Sequence, residues 1–237
     1  PILGDYLYMT LLDTNGGSAL AVRWKNEVPD LLLHFKERGE VSVTRMDPGE
    51  APDKDDDLAV GENVHDFLGG VEALREFARG DDAESVICAM KKSVTSIYAM
   101  ILKLEGLETV ELSGSRVQCR KYEVRLSYAC PLAIDPGTTI EDLRTSHFPE
   151  KSSAEVSALF HRVTGADTPA AVTGRRFAFP VSVAVFNRVM NREREFEGPF
   201  GLDESLTLWC DPSTGMPVKI RGSFHGATVE FELSGGG

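Results

Sequence analysis

The stretch from Ser205 to Leu233 leaves this chain few folds to choose from. Leu206, Leu208 and Cys210 alternate with Thr207 and Trp209, the period of a strand with one apolar face. Asp211-Pro212-Ser213-Thr214-Gly215 follows. Pro212 fixes φ early in a turn there, and Gly215 accepts a positive φ at its end. Val218 and Ile220 then alternate with Lys219 and Arg221. Phe224 keeps the beat after Gly222, and His225-Gly226 reads as a second turn. Val229, Phe231 and Leu233 alternate with Glu230 and Glu232. Strands joined by tight turns make an antiparallel meander with one buried and one wet face, so Leu206–Cys210 should pair antiparallel with Val218–Arg221. Trp209, opposite in phase to Leu208, is expected to pack under helices laid on the sheet.

Earlier segments carry the same signals. Tyr6 to Leu12 and Ala19 to Trp24 flank Asp13-Thr14-Asn15-Gly16-Gly17, a hairpin signal because Asn-Gly and Gly-Gly tolerate positive φ. Leu31–Phe35 and Glu40–Arg45 flank Glu37-Arg38-Gly39 in the same way, and Asp47–Asp57, acidic and broken by Pro48 and Pro52, reads as a solvated loop. Asp66 to Ala78 places Phe67, Leu68, Val71, Leu74 and Phe77 at helical spacing, with Asp66 as the cap and Gly80 as the stop. Glu84 to Leu104 fits one face of a long helix, and also two strands joined at Lys91-Lys92-Ser93. Its Val, Ile, Thr and Tyr content favours strands. Thr109–Leu112 and Val117–Leu126 form a hairpin around Ser113-Gly114-Ser115, and Pro136-Gly137 opens an irregular region. Ser152–Arg162 is a second helix, and Gly165–Gly174 a mobile loop. Phe177–Met190 reads as strand through Val181, Val183 and Val185, continued by the charge-paired Arg192-Glu193-Arg194-Glu195. No internal repeat is visible.

The last segment, LTLWCDPSTGMPVKIRGSFHGATVEFEL, resembles the C-terminal signature of the DUF3108 family of bacterial envelope proteins. In that family a Leu-Trp strand, an Asp-Pro-type turn, a Leu/Met-Pro-Val strand and a Gly-containing turn into a last strand recur. GLETVELSGSRVQCRKYEVRL, Gly106 to Leu126, is similar to the family's Gly-x-Glu-x-Val strand pair. VHDFLGGVEALREF, Val64 to Phe77, sits where the family carries a helix. Together they cover about a third of the chain, and none is a catalytic motif, so they speak to fold. Residues 131–204 fall outside the resemblance. The family resembles lipoprotein-carrier proteins. The resemblance therefore implies one domain over residues 1–237: a curved antiparallel sheet or incomplete β-barrel with two or three helices over its mouth. It also implies a periplasmic or envelope location and an envelope protein partner.

Composition narrows the function classes. A formal charge of −12 and a pI near 4.9 disfavour nucleic acid and anionic membrane surfaces, which reward Lys/Arg patches. No apolar run is long enough to span a membrane. The chain begins at Pro1 without a methionine and reads as a piece of a longer protein, so a missing leader says nothing of its natural N-terminus. Cys88, Cys119, Cys130 and Cys210 show no C-x-x-C spacing and sit in apolar strand-like settings, as small buried hydrophobes do. If two of them pair, Cys119 and Cys130 would staple adjacent strands.

No constellation announces chemistry. Asp53-Lys54-Asp55-Asp56-Asp57 starts like a calcium loop, but Leu58 and Val64 stand where the turn glycine and bidentate glutamate belong. His34, His65, His147, His161 and His225 lack metal-ligand spacing. Ser223 and His225 share a strand face without an orienting acid. No catalytic residue, metal or cofactor is therefore assigned. The apolar stripes fit either a closed core or the lining of an open concave face. Taken with the resemblance, they name Val183, Leu206, Leu208, Val218 and Ile220 as contacts for an apolar small molecule or lipid acyl chain. An enzyme using the same cavity, or a structural envelope protein with a filled core, are the other readings.

Overall fold

The computed structural model describes residues 6–12, 18–25, 28–36, 39–46, 53–54, 57–90, 96–112, 114–191, 193, 195–198, 202–224 and 226–232. The expected turns at Asp13–Gly17, Glu37-Arg38 and Lys91-Lys92-Ser93 lie outside the described residues, as do most of the acidic loop, Ser113, Arg192, Arg194, His225 and Leu233.

The chain is mostly β with minor α, as the alternation predicts. Strands β1 (Tyr6–Leu12), β2 (Ser18–Lys25), β3 (Val28–Lys36) and β4 (Glu40–Arg45) form an antiparallel meander. The short β5 (Asp53–Lys54) and β6 (Leu58–Ala59) both pair with β4, so the segment expected as loop lends β4 short strand partners. The second sheet contains β7 (Val64–His65), β8 (Glu84–Met90), β9 (Ile97–Leu112), β10 (Ser115–Ala133), β11 (Arg176–Val181), β12 (Leu202–Cys210), β13 (Pro217–Phe224) and β14 (Ala227–Glu232). Its order is β14-β13-β12-β10-β9-β8-β7, with β11 also on β10 and only the β7–β8 pair parallel. Both sheets are open and uncurled, without the barrel-like curl expected above. Cys119 and Cys130 lie on the same strand, β10, so they cannot staple neighbours. All four cysteines are free and buried.

The C-terminal meander pairs as read, but the expected buried face does not extend to β14, where Phe231 is 56% exposed. Leu208 pairs with Ile220, and Ile220 with Phe231. Asp211 builds the turn: its Oδ1 accepts from the Ser213 N–H at 2.7 Å and the Thr214 N–H at 2.9 Å. Gly215 has φ 69°, and a side chain there would drive into the Arg75 carbonyl, so the turn presses on the preceding helix as only glycine allows.

That helix, α1 (Phe67–Arg79), is capped by Asp66, whose carboxylate accepts from the Gly69 N–H at 3.0 Å and also from the Thr10 hydroxyl of β1. Its buried face is Gly69, Gly70, Leu74 and Ala78, while Phe67 and Leu68 are exposed. The glycines let the helix approach β8, where a Cβ on Gly70 would lie 3.1 Å from that of Ala89. Leu74 and Ala78 fill a core with Leu102, Tyr122, Val124 and Leu208.

Three more helices follow, one or two more in all than expected: α2 (Ile140–His147), α3 (Ser153–Thr164) and α4 (Val183–Met190). A single 3-10 turn, Pro169–Val172, lies inside the expected loop. Helix α4 replaces the second half of the strand read over Phe177–Met190. Ser182 ends β11 and caps the helix, its hydroxyl accepting from the Val185 N–H at 3.4 Å. Helical spacing then buries Val185 with Phe186, whose ring stacks on Tyr128 at 4.0 Å. Aromatic burial outweighs the β preference of the valines. This cluster, with Phe148, Phe160 and Phe179, is the largest core. A second core lies between the sheets, where Leu31, Leu33, Val41 and Val43 meet Cys88, Met90, Ile97 and Ala99.

Candidate cleft between helix α3 and the strands

The five residues marked by sequence are not one site. Leu206, Leu208 and Ile220 share the core under α1. Val218 packs instead with Trp209, Val110 and Cys119 in a separate cluster, and Val183 borders the phenylalanine core from α4. Trp209 is 6 % exposed but lies away from the helices. The Lys219 ammonium sits 5.7 Å from its ring, and Leu208 takes the helix-covered place expected for Trp209.

An open space lies elsewhere. A cleft of about 580 Å³ runs between α3 and the strands β9, β10 and β11, within the volume range of small-molecule sites. Its helical wall follows from the pattern of α3. Ser152 and Glu155 make a capping box: the Ser152 N–H donates to Glu155 Oε2 at 2.8 Å, and the Glu155 N–H to Ser152 Oγ at 3.3 Å. With the start fixed, Val156, Leu159, Phe160 and Val163 turn into the core. Ala154, Ala158 and Arg162, four apart, then face the cleft, and the two alanines are short enough to leave space.

The strand wall is Ile101, Pro180 and Val181. The outer edge of β11 is held in place beside it. Asn63 clamps that edge at Ala178, accepting from its N–H at 2.7 Å and donating to its carbonyl at 2.9 Å, while the Glu62 N–H donates to the Arg176 carbonyl at 2.9 Å. Pro180, two residues on, presents no N–H at that edge. Ser127 lies on the floor, and its buried hydroxyl has no hydrogen-bond partner among the described residues.

Charge gathers at the rim. Arg162 Nη1 lies 2.7 Å from Glu84 Oε2, and Lys151 Nζ 3.9 Å from Glu150 Oε1. Hydrogen bonds from Ser152 lower the Glu155 carboxyl below its usual range, so it stays an anion committed to the cap. An apolar trough with charged ends can hold an amphipathic molecule.

Other polar groups are occupied or scattered. Asp57, last of the acidic run, accepts from Lys36 Nζ at 2.5 Å and Ser42 Oγ at 2.6 Å. His161 faces Asp167 at 3.1 Å, and burial together with Arg188 pushes the His147 pKa down. Among the described residues no group of His, Cys, Asp and Glu is arranged to hold a metal, and no helix is long and apolar enough to cross a membrane. Sequence reasoning missed the cleft, although the Ala154/Ala158/Arg162 spacing inside the expected helix was its signal. No protein-family model, curated protein or solved structure matches the chain.

Proposed function

We propose that this chain is a non-catalytic binding protein of the bacterial envelope or periplasm. Its ligand is an apolar molecule, a lipid acyl chain above all, seated in the α3 cleft. The observation that carries this is the open apolar trough walled by Ala154, Ala158, Leu159, Ile101 and Val181. The resemblance to DUF3108 supports the location; α3 and β11 lie in the part of the chain outside it, so the class of ligand rests on the trough itself. Burying a 16-carbon chain gains on the order of 10 kcal/mol at about 0.8 kcal/mol per CH₂. Association and ordering offset several of these, which leaves affinity near the micromolar range.

Titration with a fluorescent fatty acid tests the reading. The wild type should bind it. Ala158→Trp should abolish binding, because the indole fills the trough from an exposed helix position that tolerates it. Ile220→Ala should leave binding unchanged. A second reading, a structural envelope protein, is favoured by the filled cores beneath Leu208 and Tyr122. It takes over if the folded wild type binds no acyl probe at tens of micromolar.

A further inference from the structure

Resting on that reading, we propose that the ligand carries a carboxylate and that Arg162 is the residue that holds it, exchanging Glu84 for the ligand's head group. Arg162 projects from the same stripe of α3 as Ala154 and Ala158, so a chain lying along the alanines ends at its guanidinium. A guanidinium has five N–H donors in a planar fork that matches a carboxylate. The bond from Nη1 to Glu84 at 2.7 Å engages one nitrogen.

The pair is also replaceable. The side chains of Arg162 and Glu84 keep 32% and 39% of their surface in water, where ion pairs contribute little net free energy. Glu84 can therefore return to solvent at small cost when another carboxylate arrives. The other acid nearest the helix start, Glu155, is held by Ser152 and does not compete for Arg162. Ser127 offers a second contact, since its buried, unpartnered hydroxyl can donate a hydrogen bond to a ligand oxygen that reaches the floor. The chain's net charge of −12 does not prevent this, because charges beyond about 8 Å are screened at physiological salt.

The assay compares hexadecanoic acid with 1-hexadecanol on the full chain, by competition against a fluorescent alkyl probe, with circular dichroism confirming the fold of each variant. The acid should bind about tenfold more tightly than the alcohol, as a charge-assisted hydrogen bond provides. Arg162→Gln should erase that difference, and Glu84→Gln should widen it by removing the competing carboxylate. Alcohol binding to each variant is the reference against which its acid binding is read. A purely structural ion pair predicts that both variants act in the same direction, and that outcome overturns the proposal. Equal binding of acid and alcohol to the wild type also overturns it while leaving the acyl-binding reading in place. If neither compound binds, both readings fail together.

Discussion

Replacing Asn63 by leucine removes a side chain that acts as a strand partner. Its amide accepts from the Ala178 N–H at 2.7 Å and donates to the Ala178 carbonyl at 2.9 Å, across 115 residues of sequence. Ala178 is fully buried, so water cannot take over. A leucine of similar size leaves the N–H unsatisfied and the carbonyl with only the weak Cys88 thiol donor at 3.5 Å, and each group that loses its partner costs about 1–3 kcal/mol. The pair should therefore cost about 2–5 kcal/mol, toward the upper end of single-substitution effects. Denaturant unfolding followed by far-UV circular dichroism measures the loss, with the slope expected to stay constant. Amide exchange at Ala178 should speed up in parallel. A loss below about 0.5 kcal/mol, in the range of ordinary surface substitutions, would refute the claim that Asn63 closes the edge of β11.

Trp209→Ala should cost about 3–5 kcal/mol in the same assay, because the indole fills the cluster with Val110 and Cys119; a loss under about 1 kcal/mol would show that its burial contributes nothing. In acid, hydrogen bonds from Ser213 and Thr214 lower the Asp211 carboxyl, and Arg144 and Ser153 lower Glu141 to about 2. In that window the unfolded chain binds more protons, so stability present above about pH 4.5 should fall as the pH drops toward about 2, read as a falling unfolding midpoint. In alkali the sign reverses. Burial pushes the Cys88 and Cys210 thiols up to about 12 and Cys130 to about 11. The unfolded chain then loses protons first, and stability should decline above about pH 9. A thiol reagent at neutral pH should label these cysteines only at the rate of opening, and rapid labelling of the native chain would contradict their burial.

The parts legible in the sequence are those where period and turn chemistry agree. Leu206 to Glu232 pairs as alternation and the Asp211 turn dictate, and Asp66 caps α1 where its type and place predict. The strand choice over Glu84–Leu104 holds because β-branched residues recur in both halves, joined by Tyr98 in the second. What was not legible depends on contacts distant in sequence. Val183 and Val185 look like strand until Phe186 is seen to need Tyr128, 58 positions earlier in number, and Ser182 is recognised as a cap. The buried face of α1 is set by glycines meeting β8, not by its most apolar letters. The cleft is hidden for a similar reason: two alanines and a proline mark it only when α3 and β11 are placed side by side.

Photocrosslinking with a diazirine-bearing hexadecanoic acid tests the central claim most directly. The full chain is irradiated with the probe and digested, and the adducts are located by mass spectrometry. The account predicts adducts on Ala154–Arg162 and on Pro180–Val181, lost in Ala158→Trp. Adducts confined to Leu206–Cys210 and Pro217–Phe224, or unchanged in Ala158→Trp, would contradict it and return the ligand to the stripes of the C-terminal meander.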